Sequence, residues 1–246
     1  MKHFKTGIII GVLAIIVTFV ASSSIIAYSS DTSYSYDDMD ELLSLMKPYA
    51  DKMNSAKQME EAALELGYSE NHYVIQLARE EYQEAQEACA PYQEIYDSLV
   101  ARWSEKETEY PEATQIWTYL KNLGYNDYVC AGILGNIMAE AGGNTLNIQP
   151  LVQGGFYGIC QWNQAYSEVW GASLEEQLDF LRDTIEYELD TFGYAYGKDF
   201  DYGAFLQLTD EKDAALAFSK CYERNVPSSY NIRQVNATKA LEYFTS

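Results

Sequence analysis

The apolar residues of the chain follow three patterns in succession. Lys2 and Lys5 precede an uncharged stretch from Thr6 to Ser30, densest in apolar residues between Gly7 and Ala21. A basic start followed by such a run has the form of an export signal, and Ala27-Tyr28-Ser29 offers a small-x-small cleavage point. Gly7 to Tyr28 is equally long enough to span a bilayer, which takes ~20 residues, so cleaved signal and retained anchor both stay open. Residues 1–30 are expected to form one helical targeting unit that carries the chain out of the cytoplasm.

In residues 31–108 the rhythm changes to a 3-4 repeat. Met39, Leu42, Met46, Tyr49, Met53, Ala56 and Ala63 keep it before Gly67, and Ala78, Tyr82, Ala85, Cys89, Tyr92, Tyr96, Leu99 and Trp103 keep it afterwards. Such spacing is the seam of a coiled coil. Gly67 is the only glycine between Gly11 and Gly124, so the turn belongs there and the two arms are expected to form an antiparallel helical hairpin. Pro48 and Pro91 lie at comparable distances from Gly67 and are expected to face one another and kink the arms. With 19 acidic and 6 basic residues between 31 and 110, the remaining face is solvated and the hairpin reads as a stalk or spacer. An independent binding surface, or self-association of the seam with another chain, is the alternative.

From Pro111 glycines return and the pattern breaks into shorter amphipathic segments, which predict helices near 112–123, 126–141, 173–192, 210–222 and 231–244. A polar, Gly-rich insert from 142 to 163 is where a small sheet or extended lobe is expected. Residues 109–246 thus form the third region.

Charge narrows the chemistry. There are 37 acidic against 16 basic residues, a net charge of −21, with no basic stripe, which excludes nucleic acid as a partner. The two histidines are His3 and His72, so residues 111–246 supply no imidazole for a serine triad, a cysteine–histidine peptidase or a histidine-ligated zinc site. Cys89, Cys130, Cys160 and Cys221 lack metal-binding spacing and are expected in the core, an internal disulfide being the alternative. Neither metal nor cofactor is expected.

Between Tyr128 and Ser167 lie forty residues, of which about nine should be charged by simple proportion; only Glu140 is. It ends a helix of small and apolar residues, with no lysine or arginine nearby in sequence to hold it ionised. A carboxyl group so placed is expected to keep its proton near neutrality, as a general acid must. The bland alternatives are an exposed helix-end glutamate, or one paired with an arginine from a distant segment. Downstream, the run Gly154-Gly155-Phe156-Tyr157-Gly158-Ile159-Cys160-Gln161-Trp162 combines aromatic faces, an amide and glycines, the combination that binds sugars. A structural turn with Trp162 plugging the core is its alternative. Phe218 and Tyr222-Glu223-Arg224 place an acid and a base among aromatics at a helix end, either in a cleft or as a surface ion pair.

Together, Ile116-Trp117-Thr118-Tyr119-Leu120, the run from Ala131 to Glu140, the run from Tyr157 to Trp162, Gln177-Leu178-Asp179-Phe180-Leu181, and Phe218 with Tyr222-Glu223-Arg224 resemble the phage tail lysozyme family over about residues 112–244. The layout is also similar to the lytic transglycosylases, with a helix-ending glutamate followed by a Gly-x-x-Gln run. The resemblance implies a mainly helical, lysozyme-like α+β domain that cleaves the glycan strand of peptidoglycan. Glu140 matches the catalytic acid, and Gly158, Gln161 and Trp162 match the cleft-lining run; Tyr157, Tyr222 and Glu223 are further substrate-binding candidates. Ala141 stands where a serine often follows the glutamate.

The insert carries no second carboxylate from Ala141 to Ser167, so a two-carboxylate glycosidase would have to bring Glu168 or Glu223 from a helix. A one-carboxylate route is favoured. Glu140 would act as acid and then base, ending as a muramidase or a lytic transglycosylase. The location expected is anchored and facing the cell wall, or secreted if the signal is cleaved. A rival function is a membrane-tethered coiled-coil scaffold whose lysozyme-like domain binds glycan without cleaving it.

Overall fold

The computed structural model describes residues 38–150, 154–163 and 165–246. The targeting stretch 1–30 lies outside the described residues, and no described helix is long and apolar enough to cross a membrane.

Two long helices, α1 (Asp38–Glu65) and α2 (Tyr73–Glu109), are joined through Gly67, whose φ of +82° suits a residue without a Cβ. Tyr49 lies 6.1 Å from Tyr92, Lys52 3.4 Å from Glu84, and Glu60 2.7 Å from Arg79. The paired positions run in opposite directions, so the arms are antiparallel. Leu42, Met46, Ala56 and Ala63 of α1 are buried with Ile75, Ala78, Ala85, Cys89, Tyr96 and Leu99 of α2. The seam is therefore filled by the chain's own second arm. Pro48 and Pro91 lie inside helices that continue through them, and the residues just after them stack.

Pro111 begins α3 (Pro111–Asn122) because it has no N–H to give and pushes the preceding Tyr110 out of helical geometry (φ −138°, ψ 73°). There follow α4 (Asp127–Ala141), α5 (Leu174–Phe192), the short α6 (Tyr202–Leu206), α7 (Glu211–Cys221) and α8 (Tyr230–Thr245). The helix α4 is apolar on every side and runs buried through the middle, packed on α7 and α8. It can do so because Gly132 and Gly135 carry no side chain. A Cβ on Gly132 would stand 2.5 Å from the Cβ of Ala214, and one on Gly135 would stand 2.5 Å from the amide nitrogen of Ala237. All four cysteines are buried, and none forms a disulfide among the described residues.

The expected small sheet in the insert is not formed: among the described residues there is no strand, only an isolated antiparallel bridge between Tyr157 and Trp162. The cause is conformational. Gly154, Gly155, Gly158 and Gln161 all have positive φ, between 47° and 89°, and a chain that turns at four positions within eight residues cannot stay extended. The domain is a helical one with a knotted-up loop where the lobe was expected.

Candidate functional site

The helix α4 delivers Glu140 in its last turn, where the unpaired carbonyl groups make the surroundings negative. A carboxylate is poorly placed there unless a cation reaches it. Arg233, from the first turn of α8, does so: its guanidinium is ion-paired with Glu140, with side-chain exposures of 7% for the arginine and 19% for the glutamate. Of the readings open for Glu140, pairing with an arginine from a distant segment is the one the structure shows, the partner lying 93 residues away in sequence. Arg233 also donates to the Ser229 carbonyl, and with the Asn225 amide turned to suit its neighbours, both Nε and Nη2 lie 3.0 Å from its oxygen. The guanidinium is clamped from three sides.

Beyond the Glu140 ion pair lies a pocket of about 190 Å³ lined by Gln161, Trp162, Phe180, Tyr222, Glu223 and Arg224, among others. Cys160, Gln161 and Trp162, from the turn that starts at Gly158, form part of its wall. Gln177, buried on α5, accepts from the Ile159 N–H at 2.9 Å and donates to the Ala172 carbonyl at 3.0 Å. A Cβ at Gly158 would come within 2.6 Å of that amide, which is why the turn needs glycine there. Gln161 donates back to the Gly158 carbonyl at 2.9 Å. Trp162 is only 7% exposed; its indole N–H donates to the Tyr222 hydroxyl at 3.1 Å, and Phe180 meets it edge to face. It is a core residue whose rim lines the pocket. Tyr222 stacks on Phe218 and shares a 2.9 Å hydrogen bond with Thr184. Tyr157 stands outside the pocket, stacked at 4.5 Å on Trp170.

Glu223 lines the pocket, one of its carboxyl oxygens fully buried without a hydrogen-bond partner and the carboxyl group within reach of the Cys160 thiol. Burial, and next the negative charge of Glu140, push its pKa up to about 8, against the thiol, Arg233 and Arg224, which lower it. Glu223 is therefore largely protonated at neutral pH. Of the two readings for Glu223 and Arg224, a cleft or a surface ion pair, the cleft holds: both line the pocket, and Arg224, at a φ of 55°, ion-pairs with Glu188 and lies over Phe192. Of the residues singled out in the sequence, Gly158, Gln161, Trp162, Tyr222 and Glu223 converge, with Glu140 close enough to act on Glu223 through its charge. Arg233 carries no mark in its local sequence, and Cys160, which lies in the run from Gly154 to Trp162 and is expected only as core, also reaches Glu223.

The comparison with known families decides what this arrangement belongs to. Residues 111–244, more than half of the chain, match the phage tail lysozyme family. The chain belongs to that family. Among curated proteins and solved structures, none matches it significantly. At the family level the phage tail lysozyme domain is lysozyme-like and lytic, and its substrate class is peptidoglycan. It extends from the start of α3 almost to the end of α8, so the hairpin α1–α2 stands before it in the chain.

Proposed function

We propose that this chain cleaves the glycan strand of peptidoglycan at the pocket beside Glu140, with Glu140 and Glu223 in divided roles. The observation that carries the reading is the opposite treatment of two carboxyl groups that feel one another's charge. Glu140 is ion-paired with Arg233, while burial keeps the proton on Glu223. A pair of titratable groups separated in this way supplies an acid and an anion at the same pH. Glu223 protonates the leaving glycosidic oxygen, and Glu140 faces the positive charge that grows on the sugar. The anionic Glu223 then accepts a proton from water, giving a reducing end, or from the sugar's own hydroxyl, giving a 1,6-anhydro end. Family resemblance favours a second reading in which Glu140 alone serves as acid and base, with Glu223 a neutral wall of the pocket. Export of the chain by its first thirty residues would bring the site to this substrate.

Purified peptidoglycan digested by Glu140→Gln and Glu223→Gln separates the two. Glu140→Gln should lose ~10²- to 10⁴-fold in rate while still binding glycan. Glu223→Gln should lose a comparable factor if the roles are divided. Parental turnover by Glu223→Gln would leave the single-glutamate route, and parental turnover by Glu140→Gln would remove the site assignment altogether. Mass spectrometry of the product ends distinguishes hydrolysis from transglycosylation.

A further inference from the structure

Trp170 is a large apolar side chain that the fold leaves 45% exposed, and it is not left loose. Val169 before it is buried in the core, and Gly171 after it takes a φ of +70°, which turns the chain back toward α5. The indole lies on the Tyr157 ring at 4.5 Å with 29° between the planes, so one face is covered and the open area is its other face and edge. Tyr157 in turn is tied to the pocket, since its N–H and C=O both bond the backbone of Trp162, at 2.9 and 2.8 Å. Phe156, next to it and 50% exposed, lines the pocket itself. An aromatic row thus leads from the pocket onto the surface. Tyr157 and Trp170 hold one another in place before any ligand arrives, so binding on them sacrifices little rotamer freedom.

We infer that the stacked Tyr157 and Trp170 form a sugar platform outside the pocket, on which a further ring of the glycan strand lies with its CH face on the indole. The inference rests on the proposed glycan-cleaving function and adds to it a place where strand length is sensed. The occupant is a neutral N-acetylated pyranose rather than a charged group. Gln161 and Asn163, whose amides suit hydroxyl and acetamido groups, line the adjoining pocket, and the turn from Gly154 to Asn163 carries no charge.

Soluble β-1,4-linked N-acetylhexosamine oligomers of two, four and six rings test this on the full chain, with kcat and KM measured separately for the wild type, Trp170→Ala and Trp170→Phe. Trp170→Ala should raise KM for the longest oligomer about 2- to 10-fold with kcat little changed, and leave the two-ring oligomer unaffected, because the platform lies outside the pocket and two rings are too few to occupy both. Trp170→Phe, which keeps a stacking face, should recover most of the loss. A KM unchanged at every length overturns the platform while leaving the proposed function in place. An equal rise at every length overturns it too, since that reports distortion of the pocket. A wild-type chain that cleaves none of the oligomers and no peptidoglycan removes the proposed function and the platform together. Concentration-dependent dimerisation that Trp170→Ala abolishes, without a KM effect, would assign the surface to a second copy of the chain instead.

Discussion

A carboxylate in the last turn of a helix meets the negative end of the backbone dipole, and Arg233 reaches Glu140 there from α8 as its ion-pair partner. Glu223 has no such cation in contact and answers burial by keeping its proton. Its folded pKa of about 8 lies above its unfolded value, so the folded state binds more protons than the unfolded one between the two. Stability is then full below roughly pH 4.5 and declines as pH rises through 8, by a few kcal/mol at most. Glu223→Gln should remove this decline: chemical denaturation at pH 6 and pH 9 should show a smaller difference for the variant than for the wild type. Equal differences would mean that Glu223 ionises freely in the fold. The sequence exposed Glu140 through the absence of charge around it. It concealed Arg233, 93 residues away, and suggested for Glu223 a neighbour, Arg224, that the backbone turns toward Glu188 instead.

Each helix of the domain longer than one turn was legible from its apolar spacing, and each starts within about two residues of where that spacing and its caps place it. The five-residue α6 was not, being too short to show a period. The expected lobe fails because the glycines of the insert take positive φ and make a turn where extended chain would be needed. Most telling is α4, whose glycines looked like mere absence of bulk and are in fact the contact surfaces of α7 and α8. Gly135→Ala tests this. Alanine gains about 1 kcal/mol in helix propensity over glycine. Its methyl group, however, would meet the backbone of Ala237 at 2.5 Å and the Arg233 carbonyl at 2.7 Å, neither of which can move aside alone. Overpacking of this kind costs ~1 to 3 kcal/mol, so the clash outweighs the gain and the melting temperature should fall by about 5 °C. Because the displaced turn is the one that bears Arg233, activity should fall further than the folded fraction. Gly197→Ala, with nothing within 4 Å of the added carbon, is the control and should be near neutral. An unchanged melting temperature in Gly135→Ala would show that the helices are not held apart at this point.

Residues 34–246 form one compact unit, although the apolar pattern changes character near residue 109. Side chains at the end of α2 explain how the hairpin is joined to the domain. Buried Lys106 donates to the Tyr243 and Ser246 carbonyls, and its own carbonyl accepts from Thr114 at 3.0 Å. Trp103 of α2 lies 6.0 Å from the Phe244 ring, whose flat face is stacked at 4.5 Å on Trp117 of α3. Phe244 is thus the ring shared by the hairpin, α3 and α8. A seam repeat reveals only which residues face the other arm, so this junction had no signature in the chain. In the wild type, far-ultraviolet circular dichroism, to which the hairpin and the domain contribute comparable lengths of helix, and tryptophan fluorescence, whose four indoles all lie in the domain except Trp103, should follow one coincident transition. Phe244→Ala empties the junction at a cost of about 3 to 5 kcal/mol, which falls on the domain and on its contact with α2 but not on the α1–α2 seam. The fluorescence transition should therefore move to lower temperature together with the domain's share of the helical signal, and leave the hairpin's share, a little under half, to melt separately. If the whole helical signal shifts with the fluorescence, the hairpin has no stability of its own and depends on the domain; if neither shifts, the junction lies elsewhere than Phe244.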